Sequence, residues 1–329
     1  MSGQLVSVET DDLRREVATR VATLIREAGR TVEDVARAAL GPEGGILSSQ
    51  PTAIWADLLT RACTAAGGRP TDAGWAATGV ELTMAAADIL DDVADGEPSE
   101  ALRRYGPGAL LTTAAGLLAL GQEAMLRTVE DGVPGHRASL LARVLARGFA
   151  VATDGQTASI LATGRVHDVG EAYRLAADKS GPLGEIDFRV GAMIASTDAD
   201  VVNSFGVFGW HFAVYSQLLN DGRDVLPDGP THKLDVRTGA ATVPLVFAAS
   251  TGAPTGLDDA AIAAWEQAER RRVAQAGGLI TTELLANAER QHAAEALERL
   301  AARGLRVDAL RELLLPPTTW LRAANARSD

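Results

Sequence analysis

The chain has 329 residues, of which 47% are hydrophobic and only 4% aromatic, and 31 Lys+Arg against 43 Asp+Glu leave a net charge of −12. That balance argues against a nucleic-acid partner or an anionic membrane surface, both of which need clustered Lys/Arg. The single cysteine, Cys63, excludes a disulfide framework and a cysteine-built metal site. The opening MSGQLVSVETDD has neither the basic n-region nor the apolar h-region of a signal peptide. No run reaches the ~18 consecutive apolar residues that suggest a membrane span, so a cytoplasmic protein without a transmembrane segment is expected.

Apolar residues recur at three- and four-residue steps along most of the chain, the period of an amphipathic helix, and most are Ala, Leu and Val. In chain order this predicts helices over Asp11–Ala28, Thr31–Leu40, Pro51–Ala66, Gly74–Asp95, Gly108–Arg127, Ala138–Ala152 and Asp168–Lys179. Further helices are expected over Leu183–Ala195, Asp198–Asp221, Val236–Ser250, Asp258–Ala276, Thr281–Arg303 and Val307–Leu314. Gly/Pro-rich turns separate them at residues 41–45, 131–135 and 221–230, and Pro316-Pro317 closes the last. With no long linker, low-complexity tract or short repeat, one all-α domain over residues 1–329 is expected.

Two acidic helix ends stand out. In Ile89-Leu90-Asp91-Asp92-Val93-Ala94-Asp95, Asp91 and Asp95 lie one turn apart with Asp92 about 100° round the helix. Three carboxylates at the negative end of a helix dipole repel one another, an arrangement that a hard divalent cation relieves. The second cluster, Gln217-Leu218-Leu219-Asn220-Asp221-Gly222-Arg223-Asp224, starts its acidic run 129 residues after Asp91. Asn220 and Asp224 share a face, and Asp228 extends it only if the helix survives Gly222 and Pro227. Below Asp91 on the wheel lie Ala87, Met84 and Val80; below Asn220 lie Ser216, Ala213 and Gly209. Such small and apolar stripes suit either close helix packing or a deep apolar pocket. Five of the 14 aromatics fall within residues 205–215, and Trp210 and Phe212 flank the Asn220 face at about ±80°. Aromatic faces placed there suit either a dense central helix or stabilisation of a carbocation.

Other features carry less. The five histidines show no short metal-ligand spacing, Cys63 sits in an Ala-rich helix as a core residue, and residues 41–45 lack the downstream Lys of a P-loop.

Together these residues resemble the trans-prenyl diphosphate synthase (polyprenyl synthetase) family of the isoprenoid-synthase fold. Leu90 through Asp95 looks like its first aspartate-rich motif, DDxxD, and Arg103-Arg104 like the Arg pair that contacts the allylic diphosphate. Lys179-Ser180 resembles its Lys-Thr diphosphate contact, and Gln217 through Asp224 its QxxDDxxD, with Asn220 for the first Asp. Asp235 through Pro244 is similar to its DLxxGKxTxP segment. The matches run in family order from about residue 44 to residue 244.

Departures are as informative. The family's GGKRxRP, whose basic residues grip isopentenyl diphosphate, reads here Gly44-Gly45-Ile46-Leu47-Ser48-Ser49-Gln50-Pro51. Each Lys/Arg missing from the grip on that anion removes roughly 1.5–3 kcal/mol. The later family Lys is Ala240, the Asp of GDxLL is Leu117, and the Phe before Gln is Ser216. Asn220, Asp221, Asp224 and Asp228 also resemble the NDxx(S/T)xxx(E/D) motif of class I terpene cyclases. Arg174, 46 residues before Asn220, matches the spacing of the diphosphate-sensing Arg in those enzymes. The cyclases' C-terminal Arg-Tyr pair is absent, Trp320-Leu321-Arg322-Ala323 being the nearest segment.

The resemblance implies a helical bundle around a deep central apolar cavity lined by Val80, Met84, Ala87, Gly209, Trp210, Phe212, Ala213, Ser216 and Gln217. It implies three Mg²⁺ ions, with Mn²⁺ as the alternative, on Asp91, Asp92, Asp95, Asn220, Asp221, Asp224 and Asp228. Arg103, Arg104, Lys179, Arg174 and Lys233 would hold the diphosphate of an allylic prenyl diphosphate. Because the basic grip on isopentenyl diphosphate is missing, the expectation is a terpene synthase of prenyl-synthase type acting on a C15–C20 or longer chain as a homodimer. The alternatives are a trans-prenyltransferase that uses isopentenyl diphosphate or another acceptor, and a non-catalytic regulatory subunit.

Overall fold

A computed structural model describes residues 2–42, 45–48, 54–227 and 234–314. Every helix or strand among them is helical: α1 (Ser2–Ala28), α2 (Arg30–Leu40), α3 (Ile54–Ala65), α4 (Gly74–Asp95), α5 (Glu100–Arg103), α6 (Gly106–Leu126) and α7 (Gly135–Ala162). The remainder are α8 (Val169–Ala195), α9 (Ala199–Asp224), α10 (Asp235–Thr238), α11 (Val243–Phe247), α12 (Asp259–Ala276), α13 (Gly278–Ala302) and α14 (Asp308–Arg311). The expected all-α class is therefore found.

The packing divides into two compact units. Among the described residues, the first comprises those up to 147, 186–206 and 300–309, the second those in 148–185, 207–299 and 310–314, so α7, α8, α9, α13 and α14 each contribute to both.

In the first unit α4 is the central helix, with α1, α3 and α6 packed on it. The α4–α6 crossing is close because both helices place glycine there: a Cβ on Gly79 would lie 2.9 Å from the Gly121 carbonyl oxygen. The start of α4 is pinned by charge and ring. The guanidinium groups of Arg20 and Arg127 lie 4.5 and 3.8 Å from the Trp75 ring centroid. Asp131 accepts from Arg20 at 3.0 Å and from the Trp75 amide at 2.6 Å. This fixes the register along which the acidic residues follow at the far end.

In the second unit α8, α9 and α13 share a core of Ala172, Ala176, Val214, Tyr215, Leu218 and Ala286. Another core, built from Val225, Val236, Leu245 and Val273, gathers α10 and α11 against α12.

Two expectations need correction. Residues 169–195 form one helix although Ser180-Gly181-Pro182 reads as a break. Proline removes a backbone donor, but neighbouring contacts hold the segment: a Cβ on Gly181 would strike the Trp210 ring at 2.5 Å, and one on Gly184 the Gly209 carbonyl at 2.2 Å. Conversely, Val236–Ser250 is two short helices. Gly239, at φ 69°, turns the chain left-handed after α10, and extended Thr242 caps α11 with Pro244 in its first turn. Separately, one helical stretch among the described residues, Gly106–Asp131, is long and apolar enough, by length and composition, to cross a bilayer. Scattered Thr, Gly and Gln interrupt its apolar run without making it polar. Its packing on α4 gives it a core role in the first unit.

Candidate functional site

The acidic end of α4 belongs to the first unit. Asp91 and Asp92 are half-buried and Asp95 is exposed. The helix stops because Gly96 takes φ 72°, its amide meeting the carbonyls of Asp92 and Val93, while the Glu97 amide donates to Asp92 O at 2.9 Å. These bonds cap the backbone carbonyls and leave the three carboxylates beside the negative end of the dipole. Higher on α4, Val80 and Met84 are fully buried and Ala87 half-buried.

After this end the chain turns through α5 to the Arg pair. Arg103 Nε donates to the Pro98 carbonyl at 3.0 Å. Arg104 lies over the Tyr105 ring at 4.7 Å and donates to its hydroxyl at 2.7 Å. Tyr105 donates in turn to the Asp34 carbonyl at 3.2 Å. Asp34, Arg37, Ala38, Arg104 and Tyr105 line an open cleft of about 550 Å³. Arg37 in this cleft is already paired with Glu33 at 2.9 Å. Where the resemblance expects basic residues, Ile46 is 3% exposed and Leu47 half-buried, tied by its amide to Leu40 O at 2.8 Å.

Deeper in the same unit lie two acids that sequence reasoning did not assign to the site. Glu81, buried on α4, accepts from the Ala56 amide at 2.8 Å, and burial pushes its carboxyl up to about 7. Asp187 on α8 is 0% exposed, and neither carboxylate oxygen has a hydrogen-bond partner. Burial, reinforced by the nearby Glu81, raises the Asp187 carboxyl well above the ordinary carboxylate range. Its signal in the sequence is one Asp inside the apolar run Ile186-Asp187-Phe188.

The second acidic end belongs to the second unit. Ser180 Oγ donates to Gln217 Oε1 at 2.8 Å, and Gln217 Nε2 donates to Asp221 Oδ1 at 2.7 Å, linking α8 to α9. Asp221 is 4% exposed. Burial lifts its carboxyl to about 7, the Gln217 bond and Lys179 pulling down while Asp235 and Asp224 push up. Asn220 is exposed and accepts from Arg223 at 3.1 Å, and Asp224 is half-buried. The helix wheel pairs Asn220 with Asp224, but the residue held by the polar chain is Asp221. α9 ends at Asp224; Asp228 and Lys233 lie outside the described residues.

Other expected residues fall as follows. Arg174 is exposed and about 140° round α8 from half-buried Lys179, so the two do not share a face. Gly209 and Ala213 meet Gly184, and Trp210 meets Gly181, all in the α8–α9 packing. Phe212 stacks on Phe208 with centroids 5.9 Å apart, and Ser216 Oγ donates to the Phe212 carbonyl at 2.9 Å. Among the described residues no three Asp, Glu, His or Cys side chains converge closely enough to hold a metal ion. The donor set at each acidic end is nevertheless all oxygen, the ligand chemistry that Mg²⁺ prefers, alongside substrate phosphates.

No family model matches the sequence, and no curated protein matches it. Solved structures do. The polyprenyl synthetase of Streptomyces coelicolor A3(2) superposes with a TM-score of 0.76 at 21% identity, over 92% of this chain and 95% of that one. The geranylgeranyl pyrophosphate synthetase of Pyrococcus horikoshii Ot3 gives 0.76 at 18%, over 95% and 97%. A polyprenyl synthase of Caulobacter crescentus CB15, complexed with calcium and isoprenyl diphosphate, gives 0.72 at 21%, over 94% and 93%. The all-α chain thus has the isoprenoid-synthase fold in the form carried by trans-prenyl diphosphate synthases.

Proposed function

We propose that this protein is a Mg²⁺-dependent prenyltransferase. It ionises an allylic prenyl diphosphate and passes the prenyl group to an acceptor. The observation that carries this is the presence of two helix ends rich in oxygen ligands, Asp91/Asp92/Asp95 and Asn220/Asp221/Asp224, on a fold shared with a polyprenyl synthetase. Mg²⁺ bound there would stabilise the charge that develops on the departing diphosphate. Asp91, Asp92 and Asp95 hold metal at one end, and Asp221 and Asp224, with Asn220, at the other; Asp228 is a further ligand. Arg103, Arg104, Lys179 and Lys233 hold the diphosphate, while Arg174, facing away from Lys179, has the weakest claim.

Likeness to elongating synthases favours prenyl transfer over cyclisation. Two observations favour the second reading, a terpene synthase: Ile46 is buried where a basic residue would grip isopentenyl diphosphate, and Arg37 is paired with Glu33. Product analysis separates them. Prenyl transfer gives a longer diphosphate or a prenylated acceptor that depends on the acceptor, whereas cyclisation gives acceptor-independent hydrocarbon.

We further propose a cytoplasmic homodimer joined through α6. Leu111 and Leu126 are 45% and 51% exposed, and only 39% of this helix's most apolar stretch is buried within the chain. An apolar helix left that open marks an interaction face. Sedimentation of wild type as a dimer and of the Leu111→Glu/Leu126→Glu variant as a monomer is expected; a wild-type monomer contradicts it.

A further inference from the structure

α9 ends at Asp224, and the last carbonyls of a helix have no partners within it. The second unit supplies their partner from 46 residues away. Arg270, on α12, is 5% exposed, and its Nη1 donates to the Asp224 carbonyl and, at 3.4 Å, to the Leu226 carbonyl. A guanidinium this buried is uncommon unless its charge is used. Here it lies at the negative end of the α9 dipole; burial pulls its pKa below the usual guanidinium value, against the opposing pull of Glu266, Asp224 and Asp235.

The same face of α12 makes a second tie. Glu266, one turn before Arg270, accepts from Arg237 Nε on α10 at 2.7 Å. Between the two ties lies the core of Val225, Val236, Leu245 and Val273. α12 thus grips the end of α9 by its backbone and α10 by a charged side chain, with an apolar layer between them. The backbone grip holds the main chain from which the Asp224 side chain starts, while Gln217, one turn before, donates to the Asp221 carboxylate.

We propose that Arg270 is a positioning residue for the metal-binding end of α9, holding Asp221 and Asp224 in the arrangement that a divalent cation takes up. It touches neither metal nor substrate and acts through the Asp224 and Leu226 carbonyls. This rests on the assignment of α9 as a metal-binding end. Residues that orient metal ligands without contacting the ion alter affinity by roughly 10–100-fold when replaced.

The test measures Mn²⁺ binding to the full-length protein by electron paramagnetic resonance, in an Asp91→Asn/Asp92→Asn background that removes the ligands on α4. Arg270→Gln is expected to weaken the remaining binding about tenfold or more. Arg270→Lys, which keeps the charge without the two-carbonyl reach, falls between. Thermal melting is recorded for each, because a purely structural brace lowers Tm and leaves the Mn²⁺ affinity of the folded protein unchanged. That result overturns the proposal. If Arg270→Gln does not fold, the Lys variant decides by the same comparison. Asp224→Asn separates the two levels. Unchanged Mn²⁺ binding in Asp224→Asn overturns the assignment of α9 itself, whereas weakened binding there with unchanged binding in the Arg270 variants overturns the positioning role alone.

Discussion

Gln217 donates from Nε2 to Oδ1 of Asp221 across 2.7 Å, one turn along α9. Because Gln217 also accepts from Ser180 of α8, its amide orients one buried carboxylate and joins two helices at once. Gln217→Leu removes both bonds and leaves Asp221 buried without its donor. A loss of about 1–3 kcal/mol in stability is expected, together with a raised Mg²⁺ requirement. Denaturant titration and Mg²⁺-dependence of turnover check the two effects separately. A fully stable variant with wild-type Mg²⁺ dependence would mean that the network does no orienting.

Asp187 is a buried acid with two unpartnered oxygens, so its removal should stabilise. Its folded-state carboxyl titrates well above its ordinary value, and such a group binds its proton more tightly in the folded state. Stability is therefore full below the unfolded value of about 4 and falls as pH rises toward the folded one. Asp187→Ala is expected to gain about 1–3 kcal/mol at pH 8, with the gain shrinking toward pH 4. Glu81, lifted to about 7, leaves a residual decline between roughly pH 4.5 and 7 in the variant. Denaturant unfolding of both proteins at pH 4.5, 6 and 8 measures the difference. A gain independent of pH would show that Asp187 is ionised in the folded protein throughout.

Glu289 behaves in the opposite sense. It is nearly buried on α13 and accepts from Tyr173 of α8 at 2.6 Å and pairs with His211 Nδ1 of α9 at 2.7 Å. Burial raises its carboxyl, but the bonds from His211 and Tyr173 outweigh that and the net shift is downward. Its stabilisation is present above the unfolded value of about 4.3 and is lost as pH falls through the folded one. Glu289→Ala leaves a phenol and an imidazole without their acceptor. A cost of about 1–3 kcal/mol at pH 7 is expected from differential scanning calorimetry, and an unchanged stability would exclude the network as a brace.

Neutralising the end of α4 tests its role in ionisation. Asp91→Asn and Asp92→Asn are each expected to lower the rate of diphosphate release by at least about 100-fold, as loss of a group stabilising developing charge does. Asp95→Asn should cost less, because Asp95 is exposed. Fold and melting temperature should hold, since these side chains lie at the end of a capped helix. Single-turnover assays with a labelled allylic diphosphate give the rates.

Much of this molecule is legible in the sequence where the cause is local. Gly74–Asp95 falls where its apolar period and Gly96 place it, and the Asp258 cap sets the start of α12 by accepting from the Ala261 amide at 2.8 Å. What is not legible depends on partners distant in sequence. Ser180-Gly181-Pro182 reads as a break, and only Trp210 and Gly209, roughly 30 residues on, show why the helix continues. Asp221 looks secondary on the helix wheel, yet Gln217 and Ser180 tie it down. Nothing in the local sequence marks Arg270 or Glu289, whose roles arise from carbonyls and side chains 46 to 116 residues away. Local pattern specifies the elements; non-local contacts decide which polar residues they bury.

The most direct test of the central claim is release of inorganic diphosphate from C10, C15 and C20 allylic diphosphates by the purified protein, with and without Mg²⁺, and with and without isopentenyl diphosphate. Release is expected to require Mg²⁺, to be abolished by Asp91→Asn/Asp92→Asn, to favour C15 or longer, and to yield a longer or transferred prenyl product when an acceptor is supplied. Absence of diphosphate release from every substrate, with Mg²⁺ and acceptor present, would contradict it and leave the protein a non-catalytic member of its fold.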